Sequence, residues 1–373
     1  MGKWFSPAAI LVAVFAAAGV SAAAVASFSP VVSFSRSSMA ADANASSTPA
    51  LPPLDKVAYD KKLLAIAHVA DTSPWYFSYL AATTTPLDAE GHATTTTMHK
   101  PVWPVRAVYP EAGALLPFNR IVAYYGNFLS KGMGVLGQYP PDVMLQKLAS
   151  TTAQWQAADP STPVIPAIHL IVVTAQGSPG ADGMYRARMS DSLVDEALSL
   201  AAKAHGIVFL DFQVGLSTVQ KELPQYEKYL SMPNVHVGID PEFSMKDGVP
   251  PGHEIGTMDA TDVNWVAHYL AGLVDKNNLP PKILVVHRFT EAMVTHAARI
   301  TPLPEVQIVM DMDGWGSQAK KTTTYTWIVA AEPVQFTGFK LFYKNDILPP
   351  STGMFTPAQV LKLTPAPVYI QYQ

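Results

Sequence analysis

The chain has 373 residues, a formal net charge of −4 and no cysteine. The lack of cysteine excludes disulfides, thiolate metal sites, a thiol nucleophile and a lipid-modified N-terminal cysteine. The weak net charge argues against a nucleic-acid-binding surface. Hydrophobic residues make up 49% of the sequence and charged residues 14%, so the chain can bury one large core.

The N-terminus has the composition of an export signal. Lys3 is followed by an uncharged stretch whose Ala- and Val-rich part extends to about residue 26. Two small-x-small triplets, at 22–24 and 24–26, resemble cleavage sites, but the apolar run is also long enough to span a bilayer if it is retained. We predict that residues 1–26 are a signal peptide or membrane anchor. The protein is then exported, and is secreted, periplasmic or anchored to the membrane by its N-terminus.

The next two segments differ in composition. Residues 27–54 are rich in Ser, Ala and Pro, which is typical of a linker. Residues 55–117 form a predicted irregular N-terminal extension with a short amphipathic helix within 55–69 and a Thr-rich loop at 83–97. The proline-rich end of this extension is predicted to lie extended across the start of the next domain.

From residue 118 to 373, short apolar runs alternate with helical patterns. The predicted strands are 121–125, 164–173, 207–212, 235–239, 283–286, 306–310, 339–343 and 368–372. The predicted helices are 142–157, 191–205, 217–229, 260–275, 291–299, 325–330 and a short one from 357. Alternation of this kind implies parallel strands with right-handed crossovers. It matches the α/β fold known as the (β/α)8 or TIM barrel, which needs about 250 residues. A doubly wound open sheet is the alternative, but no Gly-rich phosphate loop follows the first strand.

The stretch 235–243 is predicted to carry chemistry at the end of its strand. Val235, Val237 and Ile239 lie on one face, and Gly238, Asp240 and Glu242 on the other, because side chains alternate across a strand. A buried carboxylate is costly unless it is paired or used. The alternative interpretation is that the two carboxylates only cap the next turn.

Other predicted strands bring ionisable and polar side chains to the same C-terminal rim, where TIM-barrel chemistry takes place. They are Tyr124, Tyr125, His169, Asp211, Gln213, His287, Asp311, Asp313, Lys340 and Gln371. Arg186 lies on a long loop that would overhang this rim, and Trp315 stands between two glycines beside it. Each residue alone has an ordinary structural explanation, such as a hydrogen-bonded core side chain or a helix cap. Several strands delivering charge to one rim favour a functional site.

Several segments resemble those of a family of secreted bacterial TIM-barrel proteins of uncharacterised activity. The segments are 124–126, 211–215, 239–243, 285–289 and 311–314, and the resemblance extends over about residues 120–373. It implies export and a barrel, and it supplies no activity. More loosely, the carboxylate-rich rim is similar to that of barrel glycoside hydrolases, which is an analogy of fold alone.

The first functional hypothesis is an exported hydrolase of the glycosidase type that cleaves a saccharide. Cleavage of a glycosidic bond needs one carboxyl group as acid and a second as base or nucleophile. We predict Glu242 as the proton donor and Asp240, Asp211 or Asp311 as the second carboxylate. The predicted substrate-binding residues are Tyr124, Tyr125, His169, Arg186, Gln213, His287, Asp313, Trp315, Lys340 and Gln371.

Two alternatives remain open at this point. A metal-dependent phosphodiesterase or related hydrolase would use oxygen and imidazole ligands, namely Asp240, Glu242, His287, Asp311 and Asp313. The sequence has no HExxH motif, so no metal or other cofactor is predicted, although a divalent metal is compatible with the rim. The other alternative is an exported saccharide-binding protein, which would use the same rim residues to bind a saccharide without cleaving it. The expected partner is a saccharide or another small molecule. No nucleic-acid partner is expected. Contact with a membrane is expected only if the N-terminal segment stays uncleaved.

Overall fold

Eight parallel strands form a closed barrel in a computed structural model that describes residues 51–84 and 102–373, with backbone alone for 80–84. The strands are β1 (Arg120–Gly126), β2 (Val164–Ala175), β3 (Ile207–Phe212), β4 (Val235–Ile239), β5 (Lys282–Arg288), β6 (Val306–Met312), β7 (Phe336–Leu341) and β8 (Tyr369–Tyr372). Each strand pairs in parallel with the next, and β8 pairs with β1 to close the ring. The predicted (β/α)8 barrel is therefore confirmed as a closed parallel barrel.

Two α-helices precede β1, and α-helices occupy every connection between successive strands except the one between β5 and β6. Their bounds are α1 (Lys56–Ile66), α2 (Pro74–Thr84), α3 (Pro141–Ala158), α4 (Asp191–Lys203), α5 (Val219–Glu222), α6 (Glu227–Leu230), α7 (Ala260–Asn277), α8 (Gln318–Thr324) and α9 (Pro357–Val360). A π-helical turn, Tyr325–Val329, continues α8. Within the described ranges, no helix combines the length and apolarity needed to cross a bilayer. The predicted export segment, most of the linker and most of the Thr-rich loop lie outside the described residues.

Two predicted helices are wrong in detail. The helix predicted at 217–229 is divided into α5, a 3-10 turn and α6, because Pro224 lacks the N–H needed inside an α-helix. The helix predicted at 291–299 is replaced by two 3-10 turns around a short strand, Val294–Thr295, which pairs in parallel with Met258–Asp259. Val294 and Thr295 are β-branched, which favours the strand.

The N-terminal extension closes one end of the barrel. Tyr59, Leu63 and Leu64 of α1 join the apolar cluster formed by the inward side chains at the start of the strands. The backbone of Leu116 is held by Gln307 inside the barrel, with an N–H to Oε1 distance of 3.0 Å and an Nε2 to carbonyl distance of 2.7 Å. The extension therefore covers the N-terminal end of the barrel.

Alternating side chains separate two cores. One core, between strands and helices, contains outward residues such as Val208, Leu210 and Phe212. The other fills the barrel and contains inward residues such as Phe209. On β4 the inward position is Gly238, where a Cβ atom would lie 2.3 Å from Oδ1 of Asp211 and 2.4 Å from Nε2 of His169. The polar interior thus requires glycine at this position.

We predict that Gly238→Ala destabilises the protein by about 1–3 kcal/mol or more, because an added Cβ overpacks the interior. The matched control is Gly272→Ala on the exposed side of α7, where nothing lies within 4 Å of the new Cβ. That change should stabilise by about 0.5–1 kcal/mol, since alanine is the better helix former. Urea denaturation of both variants measures the difference. Equal stability of the two variants would contradict the packing argument.

Candidate functional site

The site is built around the carboxylate of Asp211, which points into the barrel from β3. Its Oδ2 accepts a hydrogen bond from the Tyr125 hydroxyl at 2.9 Å. Its Oδ1 lies 3.3 Å from Nε2 of His169 and 3.3 Å from Nε2 of His287. Burial alone would raise the pKa of Asp211, but the two histidines outweigh it and hold that pKa well below its usual range. Asp211 is therefore ionised, although it is 0% exposed.

The two histidines differ in their surroundings. Burial lowers the pKa of His169 to about 4, so this ring is neutral at pH 7. Its Nδ1 lies 2.5 Å from the Tyr369 hydroxyl and 3.1 Å from Nε2 of Gln371. Burial also acts to lower the pKa of His287, but Asp211 and two further carboxylates outweigh it and raise that pKa well above its usual range.

Beyond His287 lie two carboxylates from the end of β6. Its Nδ1 lies 3.2 Å from Oδ2 of Asp313 and 3.4 Å from Oδ2 of Asp311. Asp313 forms an ion pair with Lys340 of β7 at 2.8 Å, and the Lys340 ammonium lies 4.0 Å from the ring centroid of Tyr125. Burial acts to raise the pKa of Asp313, but the charges of Lys340 and His287 outweigh this effect, and the pKa is lowered. Burial raises the pKa of Asp311, whose carboxylate oxygens have no hydrogen-bond partner among the described residues.

Asp240 and Glu242 lie nearer than Asp211 to the C-terminal end of the barrel. Asp211 is in register with Gly238, so Asp240 follows two residues later on the same face. Oδ1 of Asp240 accepts the backbone N–H of Glu242 at 3.1 Å, and Oδ2 accepts from Nε2 of Gln213 at 3.3 Å. Asp240 thereby caps the 3-10 turn Pro241–Phe243, which places the Glu242 side chain at the mouth.

Both of these carboxyl groups favour the protonated form. Burial raises the pKa of Asp240 to about 7, and the charges of Asp313 and Asp211 act in the same direction. Burial also raises the pKa of Glu242 to about 8, helped by Asp240 and Asp313. Asp240 is fully buried, whereas Glu242 is only partly buried. At neutral pH, Glu242 therefore carries a protonated carboxyl group that is partly exposed.

No protein-family model matches this sequence, and no curated protein matches it. Among solved structures, it is similar to the cellulase Cel5C_n, with 14% identity, TM-score 0.36, and coverage of 63% of this chain and 69% of that chain. A GH5-4 broad specificity endoglucanase from Clostridium acetobutylicum gives 11% identity, TM-score 0.37, and coverage of 69% and 88%. Plasmodium falciparum HPPK-DHPS gives 10% identity, TM-score 0.35, and coverage of 71% and 47%. At these TM-scores the similarity supports no conclusion about chemistry. The barrel is assigned from the strand pairing of this chain alone.

Most of the predicted rim residues lie in this one cluster, but Tyr124, Arg186 and Trp315 do not. The side chain of Tyr124 points outward, where its hydroxyl bonds to Thr151 at 2.8 Å and Tyr343 at 3.1 Å. Its neighbour Tyr125 has the inward phase, since only alternate residues of β1 can face the interior. Arg186 lies on a short strand paired with β2 and is neutralised by Glu222 at 2.8 Å and Asp182 at 2.7 Å. Its predicted role in substrate binding is not supported by this geometry.

Three further predicted residues differ in accessibility. Asp211 and Asp311 are 0% exposed, so direct attack on a substrate by either carboxylate requires a path that the packed interior blocks. They are better placed to orient His287 than to touch a ligand. Trp315 is 38% exposed, and its ring lies 4.9 Å from the Lys320 ammonium. It stays a predicted stacking surface.

The sequence analysis assigned no role to two glycines and a tyrosine that shape the site, although it placed Gly238 on the inward face. Gly238 leaves space for Asp211, and at Gly338 a Cβ atom would lie 2.5 Å from Oδ1 of Asp311. Tyr369 lies inside the barrel and holds Nδ1 of His169. All three residues occupy inward positions of their strands. Examining those positions for small and aromatic residues, as well as for charged ones, would have indicated their roles.

We predict that Lys340→Met destabilises the protein by about 3–5 kcal/mol, because it removes the ammonium group that pairs with the buried Asp313 carboxylate and leaves that carboxylate only its contact with His287. The double variant Lys340→Met/Asp313→Asn should recover part of this loss, since it removes both charges. Urea denaturation of the wild type, both single variants and the double variant measures the coupling. A double variant whose loss equals the sum of the single losses would contradict an energetically significant ion pair.

Proposed function

We propose that this protein is an exported hydrolase of the glycosidase type, in which Glu242 donates a proton to the leaving oxygen of a saccharide. The observation that carries the proposal is the carboxyl group of Glu242, which is partly exposed at the C-terminal end of the barrel and has a raised pKa. Export rests on the composition of residues 1–26.

The surroundings of Glu242 suit this role. Cleavage of a glycosidic bond needs a carboxylic acid on one side and an ionised carboxylate on the other. The carboxylate of Asp313 is paired with Lys340 at 2.8 Å and is slightly exposed. We therefore propose Asp313 as the ionised carboxylate that acts with Glu242. Gln213 and Lys340 supply polar contacts for hydroxyl groups, and Trp315 supplies a surface on which a sugar ring can stack.

A screen of turnover on polysaccharides and their oligosaccharides, read by release of reducing ends, tests the proposed function. Cleavage of a glycosidic bond by the wild type supports it. Saccharide binding by calorimetry without turnover would favour a binding protein instead. Turnover of phosphodiesters that EDTA abolishes would favour a metal-dependent hydrolase. Either outcome contradicts the glycosidase assignment.

We predict that Glu242→Gln lowers kcat about 10²–10⁴-fold on a cleaved glycoside, because it keeps the shape of the side chain and removes the transferable proton. The matched control is Glu254→Gln, on the exposed loop that follows. This control should keep wild-type kcat. An undiminished kcat in Glu242→Gln, with both proteins folded by circular dichroism, would remove Glu242 from the mechanism.

The pH profile gives an independent test of the same group. The pKa of Glu242 is raised to about 8, so the acid form dominates below that pH and is lost above it. We expect kcat/KM to fall about tenfold per pH unit above about pH 8. Asp240→Asn removes a neighbouring carboxyl that raises this pKa, so the decline should begin at lower pH. A profile that Asp240→Asn leaves unchanged would indicate that another group sets the decline.

A further inference from the structure

Three ligand-type atoms converge inside the barrel beneath Glu242. They are Oδ1 of Asp211, Nε2 of His169 and Nε2 of His287, and all lie within 4.8 Å of one another. We propose that these three atoms bind one divalent transition-metal ion, of which Zn²⁺ is the best fit to two imidazoles and one carboxylate. The inference concerns metal loading and does not depend on the proposed glycosidase activity.

The distances between the three atoms support a shared ion. Each imidazole nitrogen is 3.3 Å from the same carboxylate oxygen. Charge-assisted N–H···O hydrogen bonds are shorter, at about 2.7–2.9 Å. In a tetrahedral zinc site with bonds of about 2.0–2.1 Å, neighbouring ligand atoms are separated by about 3.3–3.4 Å. The observed separations thus match the edges of a coordination tetrahedron better than two hydrogen bonds.

The far side of two of the ligands faces a group that can orient it. Metal-binding histidines direct their second ring N–H at a carboxylate or another acceptor, which fixes the ring. Nδ1 of His287 makes an ion-pair contact with Asp313 at 3.2 Å without the geometry of a hydrogen bond, and Oδ2 of Asp211 accepts from the Tyr125 hydroxyl. Only the inner atoms, Nε2 and Oδ1, therefore remain for the ion.

His169 needs a proton on Nδ1 if Nε2 is to bind metal. The Tyr369 hydroxyl lies 2.5 Å from Nδ1 of His169 and can accept that N–H. The same hydroxyl accepts a hydrogen bond from Nε2 of Gln371 at 2.9 Å, which helps to hold it in place. With the proton on Nδ1, Nε2 of His169 is left for the ion.

A second group of carboxylates serves as a comparison. Glu111, Asp275 and Glu305 also lie within reach of one another, but they sit at the surface and offer oxygen ligands only. Exposed acidic groups of this kind bind cations weakly and without specificity. The buried group is distinguished by its two imidazoles.

The experiment measures Zn²⁺ binding by the full chain after EDTA treatment and dialysis, using titration calorimetry and metal analysis. We expect one Zn²⁺ per chain and a higher melting temperature in the loaded protein. His287→Gln and Asp211→Asn should weaken binding at least tenfold. Two controls should keep wild-type affinity. They are His236→Gln, which removes another buried imidazole of the barrel, and Glu111→Gln, which disrupts the surface group.

If the ligand variants do not fold, zinc X-ray absorption of the loaded wild type decides the question. Two imidazole scatterers in the first coordination sphere support the proposal, and a sphere of oxygen atoms alone overturns it. The proposal is also overturned if the wild type binds no Zn²⁺. Unchanged affinity in folded His287→Gln, or loss of binding in Glu111→Gln, would likewise assign the ion elsewhere.

Discussion

An ionised carboxylate buried inside the barrel is the constraint from which the rest of the site follows. A buried charge without partners costs several kcal/mol, so Asp211 needs donors on both oxygens. Two of them, Tyr125 on β1 and His287 on β5, lie two strands away from β3 on opposite sides. In a flat sheet that is about 10 Å in each direction. Only a closed, strongly curved sheet brings both side chains onto one carboxylate.

The same constraint explains where glycine is required. Gly238 is in register with Asp211 on one side and Val285 on the other, so it stands between the strand of Asp211 and the strand of His287. Any inward side chain there would occupy the space through which these two groups meet. Gly338 plays the equivalent part beside Asp311. The polar interior therefore depends on the two glycines as much as on the charged side chains.

Much of this arrangement could be predicted from the sequence, because strand alternation decides which residues share a face. Asp211, Gln213, Asp240 and Glu242 were assigned to the inward face by period two alone, and the barrel followed from eight strand–helix units. The phase of β1 was not decided, because Tyr124 and Tyr125 are adjacent and chemically alike. Arg186 was misjudged because its partner Glu222 lies 36 residues away in sequence and meets it only through tertiary folding. Partners of that kind leave no local pattern.

The balance of charge explains why the mouth of the barrel carries an acid and not a base. Asp211 is compensated by His287, and Asp313 by Lys340, so the positive charge inside the barrel is already matched. A third ionised carboxyl would have no cation of its own and would lie close to two anions. Glu242 reduces this repulsion by keeping its proton, and the raised pKa of Asp240, about 7, leaves that carboxyl group partly protonated at neutral pH. The N-terminal extension covers the other end of the barrel, so the protonated and partly exposed carboxyl group of Glu242 stands at the C-terminal end.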